Sequence, residues 1–307
     1  MKLINFITRR AVSAAIVIVG VVTVIFVLSR LVGDPISLMI QPGMTQADID
    51  GLRRYWELDK PVLEQFGIFM RSALTGNFGN SIWQNVPALG LVLQALPATL
   101  LLTTSALVFA LIGALILGSI SALYQRSVFD RAIGAFTLIG QSVPSFWLAL
   151  MLILVFANQL RLFPTGGYGS VRHLVMPTLA LGLFPLARLT RLVRAGLVEA
   201  LAQDYIRTAR SKGLTRGVIL MRHCLPNIAI SLVTVVAVDF GLLMGGAVIT
   251  ETIFAWPGIG RLMIQAIDRR DYPVMQAGAF VIAISVVLSS LLADLTYALV
   301  NPKVRYG

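Results

Sequence analysis

The chain has few charged residues, few histidines and a single cysteine. Only 13% of its 307 residues are charged, whereas 57% are hydrophobic, and a soluble domain carries about 25% charged residues. A chain this poor in charge cannot cover a water-soluble core, but a lipid bilayer solvates an apolar surface. Cys224 is the one cysteine and His173 and His223 are the only histidines, so an internal disulfide and a cysteine metal cluster are excluded. We expect no catalytic residue, metal site or bound cofactor in this chain.

The chain also lacks the phosphate-binding loop of ATPases. That loop places a lysine after a glycine and before Ser or Thr, so that the lysine reaches the phosphates. The chain has only four lysines, and none of them follows a glycine: Lys2, Lys60, Lys212 and Lys303. Any ATP hydrolysis coupled to this protein must therefore occur in a partner subunit.

Basic residues outnumber acidic ones, giving a net charge of +11. They lie beside long apolar runs rather than in a separate polar domain. Lys and Arg collect in the cytoplasmic loops that flank membrane spans. The charge therefore indicates a membrane protein in contact with lipid, and no nucleic acid partner is expected.

Six apolar stretches are candidates for membrane spans, which need about 20 residues each. They are residues 11–29, 96–124, 132–159, 174–187, 224–250 and 272–293. The fourth is short, and Arg188, Arg191 and Arg194 follow it on one helical side, from which their stems reach the membrane interface. The sequence predicts an all-α integral membrane protein with six transmembrane helices, the first being a retained anchor.

The charge of the loops predicts the orientation of the spans. Residues 188–223 contain eight basic and two acidic residues, and both termini are basic, so the termini and this loop are predicted to be cytoplasmic. Residues 31–95 then form a long extracytoplasmic loop, in which Thr45 and Asp48 mark a helix start and Pro61 begins a second short helix. The predicted divisions are 1–30 (N-terminus and first helix), 31–95 (outer loop), 96–300 (core of five helices with a cytoplasmic loop at 188–227) and 301–307 (cytoplasmic tail).

The basic segment from Arg194 to Arg216 is amphipathic, and Gly213 interrupts it. We predict a surface helix here. A helix of this kind lies on the membrane surface or fits a groove on a cytosolic partner.

Ionisable residues within the spans are few. Asp239 lies inside the fifth span and Asp294 near the end of the sixth. Asp239 either lines a wet cavity or bonds to a neighbouring helix. Two isolated acids make a poor proton relay, which disfavours a self-contained secondary transporter. That class and a non-transporting membrane scaffold stay as alternatives.

Residues 205–214 read Tyr-Ile-Arg-Thr-Ala-Arg-Ser-Lys-Gly-Leu, and Leu225-Pro226 follow. This pattern resembles the cytoplasmic-loop motif of binding-protein-dependent ABC importer permeases: Glu-Ala-Ala, three residues, Gly, nine residues, Ile, one residue, Leu-Pro. Arg207, Thr208 and His223 depart from the motif. The 205–214 stretch is similar to the dipeptide, oligopeptide and nickel branch, of the first-permease type.

Other stretches are similar to the same branch from end to end of the chain. They are Gly33-Asp34-Pro35, Leu58–Pro61 with Gln65, Gly76–Gly79 with Ser81, Glu251–Gly260, Arg270–Pro273, and residues 294–297 with 301–306. The resemblance implies a type I ABC importer permease fold in the bacterial plasma (inner) membrane. It also implies a sister permease, two cytosolic ATPase subunits that hold ATP and Mg, and a periplasmic or lipid-anchored binding protein. Peptides are the expected substrates, and nickel chelates or glutathione are the alternatives.

The resemblance further implies which residues act. The stretch from Glu199 to Gly213 becomes a coupling helix in the ATPase groove, with these candidates: Glu199, Asp204, Tyr205, Arg207, Thr208, Ala209, Arg210, Lys212 and Gly213. Leu225 and Pro226 end the motif, Pro226 in the first turn of the fifth span. The candidate pore or gate residues are Asp239, Glu251, Trp256, Pro257 and Gly258. An interfacial anchor is the alternative for Trp256. Glycines and prolines in the spans are predicted to allow close helix approach and bending: Gly113, Gly118, Pro144, Pro185, Gly241, Gly245 and Gly246.

Overall fold

A computed structural model describes residues 2–31, 44–55 and 58–300, whose regular secondary structure is helical apart from one isolated bridge between Asn80 and Pro87. The helices are α1 Lys2–Leu31, α2 Gln46–Tyr55, α3 Val62–Thr75, α4 Ala88–Leu123, α5 Val128–Ser142, α6 Ser145–Leu152, α7 Val171–Leu201, α8 Asp204–Ser211, α9 Arg216–Ile219, α10 Leu225–Ile253, α11 Ile259–Asp268 and α12 Tyr272–Val300. Helices α6 and α9 continue as π-helical turns, Ile153–Gln159 and Leu220–Cys224. The Gly33-Asp34-Pro35 stretch, the Asp294 side chain and residues 301–307 lie outside the described part.

Four helices in the described residues are long and apolar enough to cross a membrane. They are Ala88–Leu123, Val171–Leu201, Arg216–Ile253 and Tyr272–Leu291. The pair formed by α5 and by α6 with its π extension makes a fifth if it is one span, and α1 contains a shorter apolar stretch, Ala15–Val27. The structure thus confirms an all-helical protein with four to five apolar spans.

The span predicted over residues 132–159 is bent, because the chain turns by 102° between α5 and α6. Pro144 has no N–H to donate, and the residue before a proline is driven out of the α conformation. Val143 accordingly has an extended backbone with ψ of 121°. The predicted bending at Pro144 is therefore observed, whereas Pro185 lies inside the continuous α7.

The described residues among 1–98, together with residues 257–287, form one compact unit. Its buried core takes side chains from α1, α4, α11 and α12, among them Val22, Val92, Ile259 and Ala277. Aromatic rings extend this core from Phe26 through the α3 side chains to Phe280.

Two helices, α2 and α3, form in the segment predicted to be the outer loop. The Thr45 N–H donates to Asp48 Oδ2 at 2.9 Å and the Asp48 N–H donates to Thr45 Oγ1 at 3.3 Å, which is the reciprocal pattern of a capping box. The side-chain hydrogen bond from Thr45 holds the pKa of Asp48 below its usual value. Pro61 immediately precedes α3, and Gly76 ends that helix with φ of +71°. The predicted helix starts at Thr45 and Pro61 are confirmed.

The described residues of 99–256 and 288–300 form a second compact unit, in which α5, α6 and α10 pack against α7. Small residues let α4 approach α7 closely. A Cβ added at Gly113 would lie 2.5 Å from Leu186 Cδ1, and one at Gly118 would lie 2.7 Å from Val193 Cγ1. The predicted close approach is confirmed at Gly113 and Gly118, whereas Gly245 and Gly246 face open space.

Candidate functional site

The segment between α7 and α10 contains the predicted coupling residues other than Glu199, but the prediction of one helix from Arg194 onward is wrong. Helix α7 ends at Leu201 and α8 begins at Asp204, so two residues separate the helices. Gln203 has an extended backbone with ψ of 151°, and Asp204 supplies the acid that favours a helix N-terminus. Glu199 therefore lies exposed on the last turn of α7, apart from the other candidates.

Helix α8 has one buried face and one exposed face. Ile206 and Ala209 are 1% and 6% exposed and join the core formed by Leu197, Ile219 and Cys224. The exposed residues of α8 and the residue after it are Asp204, Tyr205, Arg207, Thr208, Arg210, Ser211 and Lys212. The buried face fixes the orientation of α8, so the basic face is presented outward by a short, anchored helix.

Gly213 ends α8 in a left-handed conformation with φ of +79°. The Gly213 N–H donates to Arg210 O at 2.9 Å, and the Leu214 N–H donates to Ala209 O at 3.3 Å. These two bonds form a Schellman motif, which satisfies carbonyls at a helix end and favours glycine. The predicted break at Gly213 is confirmed.

Helix α10 begins with Leu225 and Pro226, so Pro226 lies in its first turn as predicted. Helical backbone already runs from Arg216, because the π turn before Leu225 continues α9 into α10. The Leu225 N–H donates to the carbonyl of Leu220, five residues back. A π turn absorbs the irregularity ahead of a proline without ending the helix.

A hydrogen bond fastens α8 to α10. Asn227 Nδ2 lies 2.8 Å from Tyr205 Oη and donates to His223 O at 2.9 Å. Beside Tyr205, an open groove of roughly 400 Å³ lies between α7 and α10. Glu199 is the one charged residue among those that line it.

Asp239, a predicted pore residue, forms an ion pair. Its Oδ1 lies 3.0 Å from Nη2 of Arg188 on α7, and its side chain is 4% exposed. Of the two alternatives for Asp239, bonding to a neighbouring helix is the one observed. Arg188 and Arg194, whose stems were predicted to reach the membrane interface, each form an ion pair with a residue of another helix.

The predicted gate residues do not form one cluster with Asp239. Glu251 is fully buried three turns further along α10 and accepts a hydrogen bond from Thr99 Oγ1 at 2.7 Å. The Trp256 N–H donates to Glu251 O at 2.8 Å, and the Trp256 ring packs edge-on against Tyr168 at 4.8 Å. Because Trp256 is only 1% exposed, the interfacial-anchor alternative is wrong. The next two residues begin a segment of the other unit, Pro257 exposed and Gly258 buried.

The sequence reasoning missed a polar cluster at Asp130. This carboxylate accepts two hydrogen bonds from Arg194, at 2.7 and 2.9 Å, and one from Ser121 Oγ at 2.5 Å. Two-point pairing of this kind is stronger than a single contact. The Asp130 N–H also donates to Ser127 Oγ at 3.3 Å. The Ser-x-x-Asp spacing of Ser127 and Asp130, a helix-start signal, was the available clue.

A second missed contact lies within the unit of residues 1–98 and 257–287. Asp271 is buried and accepts hydrogen bonds from Ser81 Oγ and from the Ile82 N–H. The Trp83 indole donates to the Arg269 carbonyl at 2.8 Å. Two stretches singled out separately in the sequence, one with Ser81 and one with Asp271, are thus in contact.

Comparison with known proteins places the chain among transport proteins. The family described as "Binding-protein-dependent transport system inner membrane component" matches residues 114–306, and the N-terminal model of the same kind of component matches residues 3–103. The chain is 36% identical to a dipeptide transport system permease protein, DppB, of Alkalihalophilus pseudofirmus, covering 97% of this chain and 98% of that protein. It is 36% identical to a di/tripeptide permease of Pseudomonas aeruginosa, covering 99% of both. It is 35% identical to the glutathione permease GsiC of Escherichia coli K12, covering 99% of this chain and 100% of that protein.

Solved structures agree on the fold. A chain of the MetNI methionine ABC transporter superposes with a TM-score of 0.59 at 20% identity, covering 69% of this chain and 96% of that one. A chain of an amino acid ABC transporter gives 0.54 at 18% identity, covering 68% and 93%. The resemblance drawn from residues 205–214 and Leu225-Pro226 is confirmed. This chain belongs to the family of inner membrane components of binding-protein-dependent transport systems.

Proposed function

We propose that the protein is a permease subunit of an ATP-driven ABC importer for dipeptides or oligopeptides. The observation that carries this proposal is α8. It is held by Ile206 and Ala209, closed by the Schellman turn at Gly213, and exposes a basic face. A short anchored helix with one free polar face has the form of an element that docks into a partner's groove.

The coupling role extends to the exposed residues of this loop. Tyr205, Arg207, Thr208, Arg210 and Lys212 would contact the ATPase subunit directly, whereas buried Ala209 would hold α8 against the bundle. Glu199 would act from the end of α7, beside the groove rather than on the docking face. In this proposal ATP and Mg belong to two cytosolic ATPase subunits.

We propose six spans with both termini in the cytoplasm of a bacterial cell. The five candidate spans, counting the bent pair as one, and α1 supply that number. The basic loop at residues 188–227 then lies on the same side as the termini, and the segment 31–95 lies outside the membrane. A sister permease would supply the other half of the path, and a binding protein would deliver substrate to the outer face. Glu251, Trp256, Pro257 and Gly258 stay as candidates for its gate.

Peptides are the proposed substrates because the relatives are named for dipeptides, di- and tripeptides and glutathione, all of which contain peptide bonds. Glutathione alone is the narrower alternative, and nickel chelates are the chemically different one.

The test is transport by the reconstituted complex. The permease is co-expressed with its sister permease, ATPase subunits and binding protein, and the complex is placed in proteoliposomes. We expect accumulation of a radiolabelled dipeptide that requires both ATP and the binding protein. Peptide uptake by this chain without ATPase subunits would instead establish a secondary transporter, and uptake of a nickel chelate but no peptide would refute the substrate class.

A further inference from the structure

One face of α7 carries guanidinium groups at the depth of the ion pair. Arg188 is paired with Asp239 yet its side chain is 36% exposed, and Arg191, one turn further along, is exposed. Asp239 is the middle residue of α10, halfway between Leu225 and Ile253. At 1.5 Å per residue it lies about 20 Å from either end of that helix. The charged group is therefore deep within the span rather than at its mouth.

The face of α7 that carries Arg188 and Arg191 cannot lie against lipid hydrocarbon. Charged side chains within spans face a bundle interior, a water-filled cavity or another protein group, because exposure to hydrocarbon is too costly. The exposed part of Arg188 and the exposed Arg191 side chain thus require a polar environment. In a permease such an environment is supplied by the translocation path or by a neighbouring subunit.

Two buried polar atoms beside these arginines have no hydrogen-bond partner within the described residues. One is Asp239 Oδ2, the oxygen that Arg188 does not bind. The other is Gln141 Nε2, whose amide oxygen lies 3.5 Å from Arg191 Nη1, at the outer limit of a hydrogen bond. Buried polar groups are nearly always satisfied. The site therefore presents the guanidinium groups of Arg188 and Arg191, held by the buried Asp239 and Gln141 side chains.

We propose that these four side chains form a subsite in the path that contacts a peptide during import, which rests on the proposed function. The net charge of Arg188, Arg191 and Asp239 is positive, and guanidinium groups bind carboxylates with paired hydrogen bonds. The peptide's C-terminal carboxylate meets the exposed guanidinium groups of Arg188 and Arg191, and the buried Asp239 and Gln141 side chains position those two groups.

The experiment separates a path role from a structural one with two variants in the complete reconstituted complex. The first replaces the pair by apolar residues, Arg188→Met with Asp239→Leu. Apolar replacement of a buried ion pair is often neutral or stabilising, so we expect this variant to assemble. The second is Arg191→Met, an exposed position, and its matched control is Arg172→Met in the first turn of the same helix, which is also exposed.

Uptake of a labelled dipeptide and of its C-terminal amide is compared at concentrations that saturate the binding protein. We expect wild type and Arg172→Met to import the free acid faster than the amide. The double variant is expected to lose about tenfold or more of its uptake rate, the effect of removing a charge-assisted hydrogen bond. In Arg191→Met the preference for the free acid is lost.

Wild-type uptake by the double variant, or an unchanged acid-to-amide ratio in Arg191→Met, overturns the subsite. Because Arg191 is exposed, its variant decides the matter even where the double variant fails to assemble. Absence of any peptide import by the wild-type complex refutes the proposed function instead, so the two failures are distinguishable.

Discussion

The left-handed backbone of Gly213 gives the sharpest test of the coupling loop. A Cβ at this position would meet nothing within 4 Å, so a side chain adds conformational strain without a clash. Left-handed backbone costs an L-residue roughly 1–2 kcal/mol, and a β-branched residue tolerates it least. Since 1.4 kcal/mol is about a factor of ten in population, Gly213→Val should make the observed loop conformation about tenfold less populated relative to its competitors.

The assay is the ATPase activity of the reconstituted complex with and without peptide-loaded binding protein, with uptake measured in parallel. We expect Gly213→Val to lose most of the stimulation and most of the uptake, while the unstimulated ATPase activity of the partner subunits persists. Gly213→Asp should abolish uptake as well, because it adds a negative charge at the end of α8, where the helix dipole disfavours it. Both proteins should still insert, since no buried contact is changed.

Two controls make the result specific. Gly213→Asn keeps a neutral side chain and tolerates left-handed backbone, so it should retain most of the stimulation. Gly217→Val lies four residues away in α9, where an added Cβ also meets nothing within 4 Å but φ is not positive. Equal losses at positions 213 and 217, or normal stimulation in Gly213→Asp, would refute the coupling assignment.

The remaining predictions concern the helix contacts that support the site. Asp130→Asn keeps the shape of the side chain but removes the charge that accepts two hydrogen bonds from Arg194. We expect the free energy of unfolding to fall by about 1.5–3 kcal/mol. An unchanged melting temperature of the purified protein in detergent would contradict this. Gly118→Leu forces a side chain into the contact between α4 and α7. We expect the free energy of unfolding to fall by about 1–3 kcal/mol or more, which lowers the yield of folded protein. Gly134→Leu, where a Cβ meets nothing within 4 Å, is its control, and equal yields would refute the packing argument.

Long apolar stretches were predictable because hydrophobicity and length alone decide them, and α4, α10 and α12 all appear where the sequence predicts a span. Their ends were less predictable. Composition limits a span to its uncharged residues, whereas α7 continues past Arg188 and Arg194, whose charges are neutralised by partners on other helices. Pairing between distant residues is invisible in a single sequence, so the extension could not be foreseen.

The candidate site likewise contains features that the sequence predicts and features that it does not. Gly213 was predictable because a helix end with positive φ selects glycine, and Thr45 because its capping spacing is local. The break at Gln203 was not, since no proline or glycine marks it and the apolar pattern runs across it. It depends on Ile206 and Ala209 finding the core beside α7 and α10, which is tertiary packing rather than local preference.

The contacts between α8 and its neighbours explain how a docked loop moves a span. Helix α8 is separate from α7, but hydrogen bonds continue through the break between them. The Gln203 N–H donates to Ala200 O at 3.2 Å, and the Ile206 N–H donates to Gln203 O at 3.1 Å. The core beneath Ile206 and the bond between Tyr205 and Asn227 tie α8 to α7 and α10 as well. Packed interiors transmit displacement rather than absorb it. A push on the exposed face of α8 is therefore passed to the two helices that hold the Arg188–Asp239 pair, so that the proposed subsite and the proposed coupling loop lie in the same compact unit.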